Sequence, residues 1–147
     1  MILTAILLNT ILMHHKLVPT MQAIDSIKLH VLVYDTGTQD YVITTNTLSV
    51  NWKGRYNPVS YTDHISPKLS KHLFEMVDPK KIERYYRKYG GVRKKKRLRI
   101  NPFDITLTYW INGVKTEYLF QDRNIPPIDK LQVELNQMVY AREDRGN

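Results

Sequence analysis

Between Phe103 and Phe120 apolar and polar residues alternate with a period of two. Phe103, Ile105, Leu107, Tyr109 and Ile111 stand against Asp104, Thr106, Thr108, Trp110 and Asn112. Successive side chains of a strand point to opposite faces, so this pattern predicts a strand with one buried face. Asn112-Gly113 then supplies a two-residue hairpin turn, because both residues tolerate positive φ. Such a turn pairs Ile111 with Val114, Tyr109 with Thr116, Leu107 with Tyr118 and Ile105 with Phe120 on the core face. Trp110 with Lys115, Thr108 with Glu117 and Thr106 with Leu119 fall on the other face.

A second hairpin is predicted earlier in the chain. Lys28 to Tyr34 is rich in β-branched and aromatic residues and reads as a strand. Asp35 to Asp40 reads as a turn-forming loop, its two aspartates as turn chemistry. Tyr41 to Lys53 reads as one longer strand, with Asn46 marking a bulge or a break. Gly54 to Asp63 reads as a loop.

Apolar spacing switches to the helical period at Ser66. Ser66-Pro67 places a capping hydroxyl before a proline at the first helical position, and Leu69, Leu73, Met76 and Val77 follow as a stripe. Asp78-Pro79 repeats the device ahead of Ile82, Tyr85, Tyr86 and Tyr89, and Gly90-Gly91 ends the pattern. One kinked helix and two short ones fit this spacing equally. A closing helix follows Pro126-Pro127, with Ile128, Leu131, Leu135, Met138 and Val139 on its apolar side.

Met1 to Met13 is apolar except for Thr4, Asn9 and Thr10. A spanning helix needs about twenty apolar residues, so this run is too short to cross a membrane. It reads as a helix over residues 1–17 that docks on the core or in a partner, as a signal peptide, or as a membrane-surface anchor. Against a signal peptide, no Lys or Arg precedes the apolar stretch, and His14, His15 and Lys16 follow it.

The expected fold class is therefore α+β: a two-layer sandwich whose antiparallel sheet is built from two β-hairpins, with helices covering one face. The domain boundaries are read as 1–17 for the apolar N-terminal segment, 24–142 for a single α+β domain and 143–147 for a frayed polar tail. At 147 residues the chain can bury enough surface for one such domain.

Charge changes this picture more than composition does. From Lys80 to Arg99 eleven basic residues face one acid, Glu83, a local charge of +10 in a chain whose net charge is +8. They are Lys80, Lys81, Arg84, Arg87, Lys88, Arg93, Lys94, Lys95, Lys96, Arg97 and Arg99. On a helix, Lys80, Lys81, Arg84, Arg87 and Lys88 share one side, and Ile82, Tyr85, Tyr86 and Tyr89 the other. Crowded like charges repel one another, and a polyanion relieves that cost as its counterions are released. A solvated basic loop without any ligand has the same composition, and so has a nuclear localisation signal. Tyr85, Tyr86 and Tyr89 are read as core residues by their spacing, base stacking being the alternative.

Trp110 stands outside the core face. It is read as a cation–π partner of Lys115, as a residue covered by the N-terminal helix, or as a partner-binding anchor. Catalytic chemistry finds little support. The five histidines show no ligand spacing, no phosphate-binding glycine loop is present, and zero cysteines exclude disulfides, thiolate zinc and a thiol nucleophile. No cofactor and no metal is expected, and an enzyme is disfavoured.

The leading expectation is a non-enzymatic domain that engages a polyanion, nucleic acid before others, through residues 80–99. The alternative is a structural or protein-interaction subunit using residues 1–17 or Trp110, or an exported domain acting on cell-envelope polymers. A membrane partner is disfavoured, and a cytoplasmic location is preferred to export.

Overall fold

The computed structural model describes residues 23–55, 58–91 and 103–146. The expected helix over 1–17 and the basic run from Arg93 to Arg99 lie outside the described residues. The architecture is α+β, with one six-stranded antiparallel sheet and helices. In chain order the strands are β1 (Ile24–Val33), β2 (Gly37–Ile43), β3 (Thr47–Gly54), β4 (Val59–His64), β5 (Phe103–Ile111) and β6 (Val114–Gln121). The helices are α1 (Pro67–Glu75), α2 (Pro79–Tyr89) and α3 (Pro126–Gly146).

The spatial order is β4-β3-β2-β1-β5-β6, so four consecutive strands form a meander and the β5–β6 hairpin is added beside β1. The sheet is thus larger than a pair of hairpins. Two corrections account for this. The stretch Tyr41–Lys53, expected as one strand, is two: the chain reverses at Thr44–Asn46, where Thr44 N donates to Thr47 O at 2.9 Å. Thr44 Oγ1 also accepts from Thr47 N at 3.1 Å and meets Thr47 Oγ1 at 2.6 Å. β-branched residues that look like strand here supply turn chemistry through their hydroxyls. The loop expected over 54–63 contains β4, whose Val59 and Tyr61 pack against the core while Ser60, Thr62 and His64 are exposed.

Asp40 moves as well. The connecting turn is shorter than expected, with Asp35 at φ 73°, and Asp40 belongs to β2, opposite His30 of β1. At the other hairpin, Asn112 and Gly113 have φ of 51° and 74°, and Ile111 pairs with Val114. The same register carries through to Ile105 opposite Phe120 and Trp110 opposite Lys115.

One face of the sheet carries the core. Ile27, Leu29, Tyr41, Ile43, Leu48, Val50, Ile105, Leu107 and Phe120 are buried there together with Leu73, Ile82, Ile128, Leu131, Leu135 and Val139 from the helices. Ser66 caps α1 by accepting from Leu69 N at 3.2 Å, and Asp78 caps α2 by accepting from Lys80 N at 3.0 Å and Lys81 N at 3.2 Å. Two capped helices, not one kinked one, result.

α3 crosses the meander strand by strand. Gln132 Nε2 donates to Gln39 of β2 at 3.2 Å, Tyr140 meets Trp52 of β3 edge-on, and Arg142 bonds Asp63 of β4 at 2.9 Å. Tyr41 is the polar centre of this packing. Its hydroxyl accepts from Trp52 Nε1 at 3.0 Å and donates to Asn136 Oδ1, and burial raises its pKa above the ordinary tyrosine value. The α3 backbone helix continues to Gly146.

Candidate functional site

The orientation of α2 decides where its charges go. Ile82 is fully buried, and the Tyr86 ring lies 4.9 Å from that of Tyr118 and 5.7 Å from that of Phe120, both on β6. Gly90 makes this possible: a Cβ there would stand 2.0 Å from Tyr86 Cδ2, so only glycine lets the ring settle against the end of the helix. Gly90 itself has an extended backbone, and the left-handed residue expected at the helix end is Gly91, at φ 79°. Gly91 N donates to Leu119 O at 2.9 Å, which places Gly91 beside β6.

With Ile82 and Tyr86 turned inward, Lys80, Lys81, Arg84, Arg87 and Lys88 are all exposed. Their charges are only partly balanced. Lys81 reaches the Asp78 carboxylate at 3.7 Å and Arg87 reaches Glu83 at 2.6 Å. Lys80 and Arg84 have no carboxylate partner among the described residues. Lys88 lies over the Tyr89 ring at 5.0 Å, and its interaction with that side chain raises its pKa. Arg87 and Lys88 in the last turn suit the negative end of the helix dipole, whereas Lys80 and Lys81 sit at its positive end. Helix stability therefore does not explain the first pair.

Tyr85, Tyr86 and Tyr89 are all half-buried, and Tyr85 and Tyr86 both pack against the core, as their spacing predicts. Tyr85 and Tyr89 also stack on each other at 26° with centroids 6.4 Å apart.

Trp110 is on the opposite face of the sheet from the core, half-buried, in a depression of about 460 Å³ lined with Lys28, His30, Thr106, Thr108, Lys115 and Glu117. The Lys115 ammonium bonds Glu117 at 2.8 Å. Thr108 Oγ1 donates to the same carboxylate at 3.1 Å, and these two partners, Lys115 first, lower the Glu117 pKa. Beside them His30 Nδ1 and Asp40 Oδ1 meet at 2.7 Å.

The structure therefore brings the five α2 cations together and leaves Trp110 apart from them, since Tyr86 holds α2 on Tyr118 and Phe120 while Trp110 occupies the other face. Two elements escaped the sequence reading. The His30–Asp40 pair follows from the β1–β2 register, once the turn between Val33 and Gly37 is correctly closed. Arg123, whose guanidinium carbon lies 5.2 Å over the Tyr89 ring, comes from the loop after β6, and no sequence pattern announces it.

Among the described residues no three or more His, Asp or Glu side chains gather as a metal site, and no helix is long and apolar enough to cross a membrane. Comparison with known proteins finds no family model, no curated protein and no solved structure that matches the chain.

Proposed function

We propose that the protein is a non-enzymatic binding domain that engages a polyanion, nucleic acid in particular, through residues 80–99. The observation that carries this reading is the outer face of α2, where five exposed cations stand with, among the described residues, only Asp78 and Glu83 to answer them. Lys80, Lys81, Arg84, Arg87 and Lys88 serve as the contact face, and Arg93, Lys94, Lys95, Lys96, Arg97 and Arg99 extend it along the chain. Contacts of this kind go to backbone phosphate and carry little sequence preference. A two-layer arrangement, with helices over one side of the sheet, belongs to the same reading, since it turns the charged side of α2 to solvent.

The test is binding of labelled nucleic acid as a function of salt. Affinity should fall steeply as salt rises, and the triple substitution Lys94→Glu, Lys95→Glu, Lys96→Glu should abolish it. Salt-insensitive binding, or undiminished binding by the triple variant, refutes the proposal.

A second reading, a subunit that docks a protein partner, draws on Trp110, a large aromatic half-exposed in its own depression. Trp110→Ala should then weaken association with that partner and leave nucleic-acid affinity unchanged.

A further inference from the structure

Beside the cationic face lies a second feature, between the last turns of α2 and the loop that leads from β6 to α3. Tyr85 and Tyr89 form one wall, and Asp122, Arg123, Asn124 and Pro126 the other, enclosing a depression of about 440 Å³. That size falls within the range of about 300–1,000 Å³ usual for small-ligand sites. We infer that this depression receives a base of a single-stranded nucleic acid whose phosphates lie on the α2 cations. The inference rests on the polyanion reading above and adds to it a contact that phosphate alone does not provide.

The aromatic wall is set by helical spacing. Tyr85 and Tyr89 are four residues apart and so share a face, and their rings stack. Lys81 precedes Tyr85 by one turn and Lys88 follows it by one, so cations flank the rings on the same helix. A strand held by its phosphates at those positions has its bases within reach of the rings.

The loop wall is held at both ends. Asp122 N donates to Phe103 O at 2.8 Å while its carboxylate accepts from Phe103 N at 3.0 Å, and Ile125 is fully buried with its N–H bound to Asp129. Arg123 and Asn124 are thereby presented on a fixed backbone. Arg123 lies against Tyr89, and its Nε is a buried donor with no hydrogen-bond partner among the described residues. A guanidinium plane stacks on bases as aromatic rings do. The Asp122 carboxylate in the same wall works against a phosphate entering, which favours the uncharged base over the backbone as the occupant.

The experiment compares, with the full-length protein, fluorescence anisotropy of a labelled oligothymidylate and of an abasic strand of the same length and charge. The base-bearing strand should bind roughly fivefold more tightly or better, the low end of one stacked base. In a Tyr85→Ala, Tyr89→Ala variant that advantage should vanish while abasic affinity stays the same, and Tyr89→Phe should keep it. Equal affinity of the wild type for both strands overturns the base site and leaves the phosphate reading standing. A double variant that weakens both strands alike also overturns it. If neither strand binds, the polyanion reading falls and the base site with it.

Discussion

Replacing Glu83 with glutamine should tighten polyanion binding. Glu83 is the one acid among the exposed cations of α2, and it holds Arg87 at 2.6 Å with both side chains largely open to solvent. An exposed pair of this spacing stabilises a helix by about 0.3–0.5 kcal/mol, so its loss leaves the fold intact. For a phosphate docked near Arg87, the Glu83 charge stands at about 5 Å, where repulsion in water is about 0.8 kcal/mol. Screening at physiological ionic strength, with a Debye length of about 8 Å, reduces this by roughly half. The gain is then about two- to fourfold in affinity, largest at low salt. The released Arg87 should also steepen the dependence of log K on log salt by about 0.7 for a single strand. Anisotropy titrations of wild type and Glu83→Gln across a salt series measure both quantities. Unchanged or weakened binding, with far-UV circular dichroism unaltered, refutes the placement of the polyanion on this face.

Two further outcomes concern the frame that presents the site. Gly90→Ala forces a Cβ to within 2.0 Å of the Tyr86 ring, and the overpacking should cost about 1–3 kcal/mol in urea unfolding. Burial raises the Asp129 pKa above its usual value of 3.8, its bond from Ile125 N opposing this only in part. The folded state thus holds that proton more tightly than the unfolded chain. The group's contribution is complete below the unfolded pKa and lost as pH rises through the folded one. Asp129→Asn keeps the acceptor and removes the titration, so its stability relative to wild type should increase between pH 3 and pH 6, read by urea unfolding at each pH. A constant difference would contradict the burial of this carboxyl.

Much of the fold is legible where one local device decides the geometry. Asn112-Gly113 dictates the register of β5 on β6, and with it the outward position of Trp110. Ser66-Pro67 and Asp78-Pro79 announce both helix starts, and the spacing from Ile82 to Tyr86 assigns the charged face of α2. What stays hidden depends on tertiary contact. β4 has a polar composition and is held by Arg142, which bonds Asp63 and lies 4.0 Å over the Tyr61 ring from the far end of the chain. The Thr44–Asn46 reversal lacks glycine and proline, so its threonines read as strand. The cationic site is visible in the sequence because like charges cluster there. The Tyr85–Tyr89–Arg123 depression is not, because its two walls come from segments more than thirty positions apart.

The position of β1 has a consequence for how the molecule is made. This strand is flanked by β2, its immediate successor, and by β5, seventy or more positions later. Contacts so distant along the chain form late, because closure entropy must be overcome first. During synthesis the meander can assemble while β1 still presents a bare rim of amides and carbonyls. A chain released before Phe103 emerges keeps that rim, an adhesive template for other unfinished copies, so truncation in the second half of the protein should yield aggregates rather than a smaller working domain.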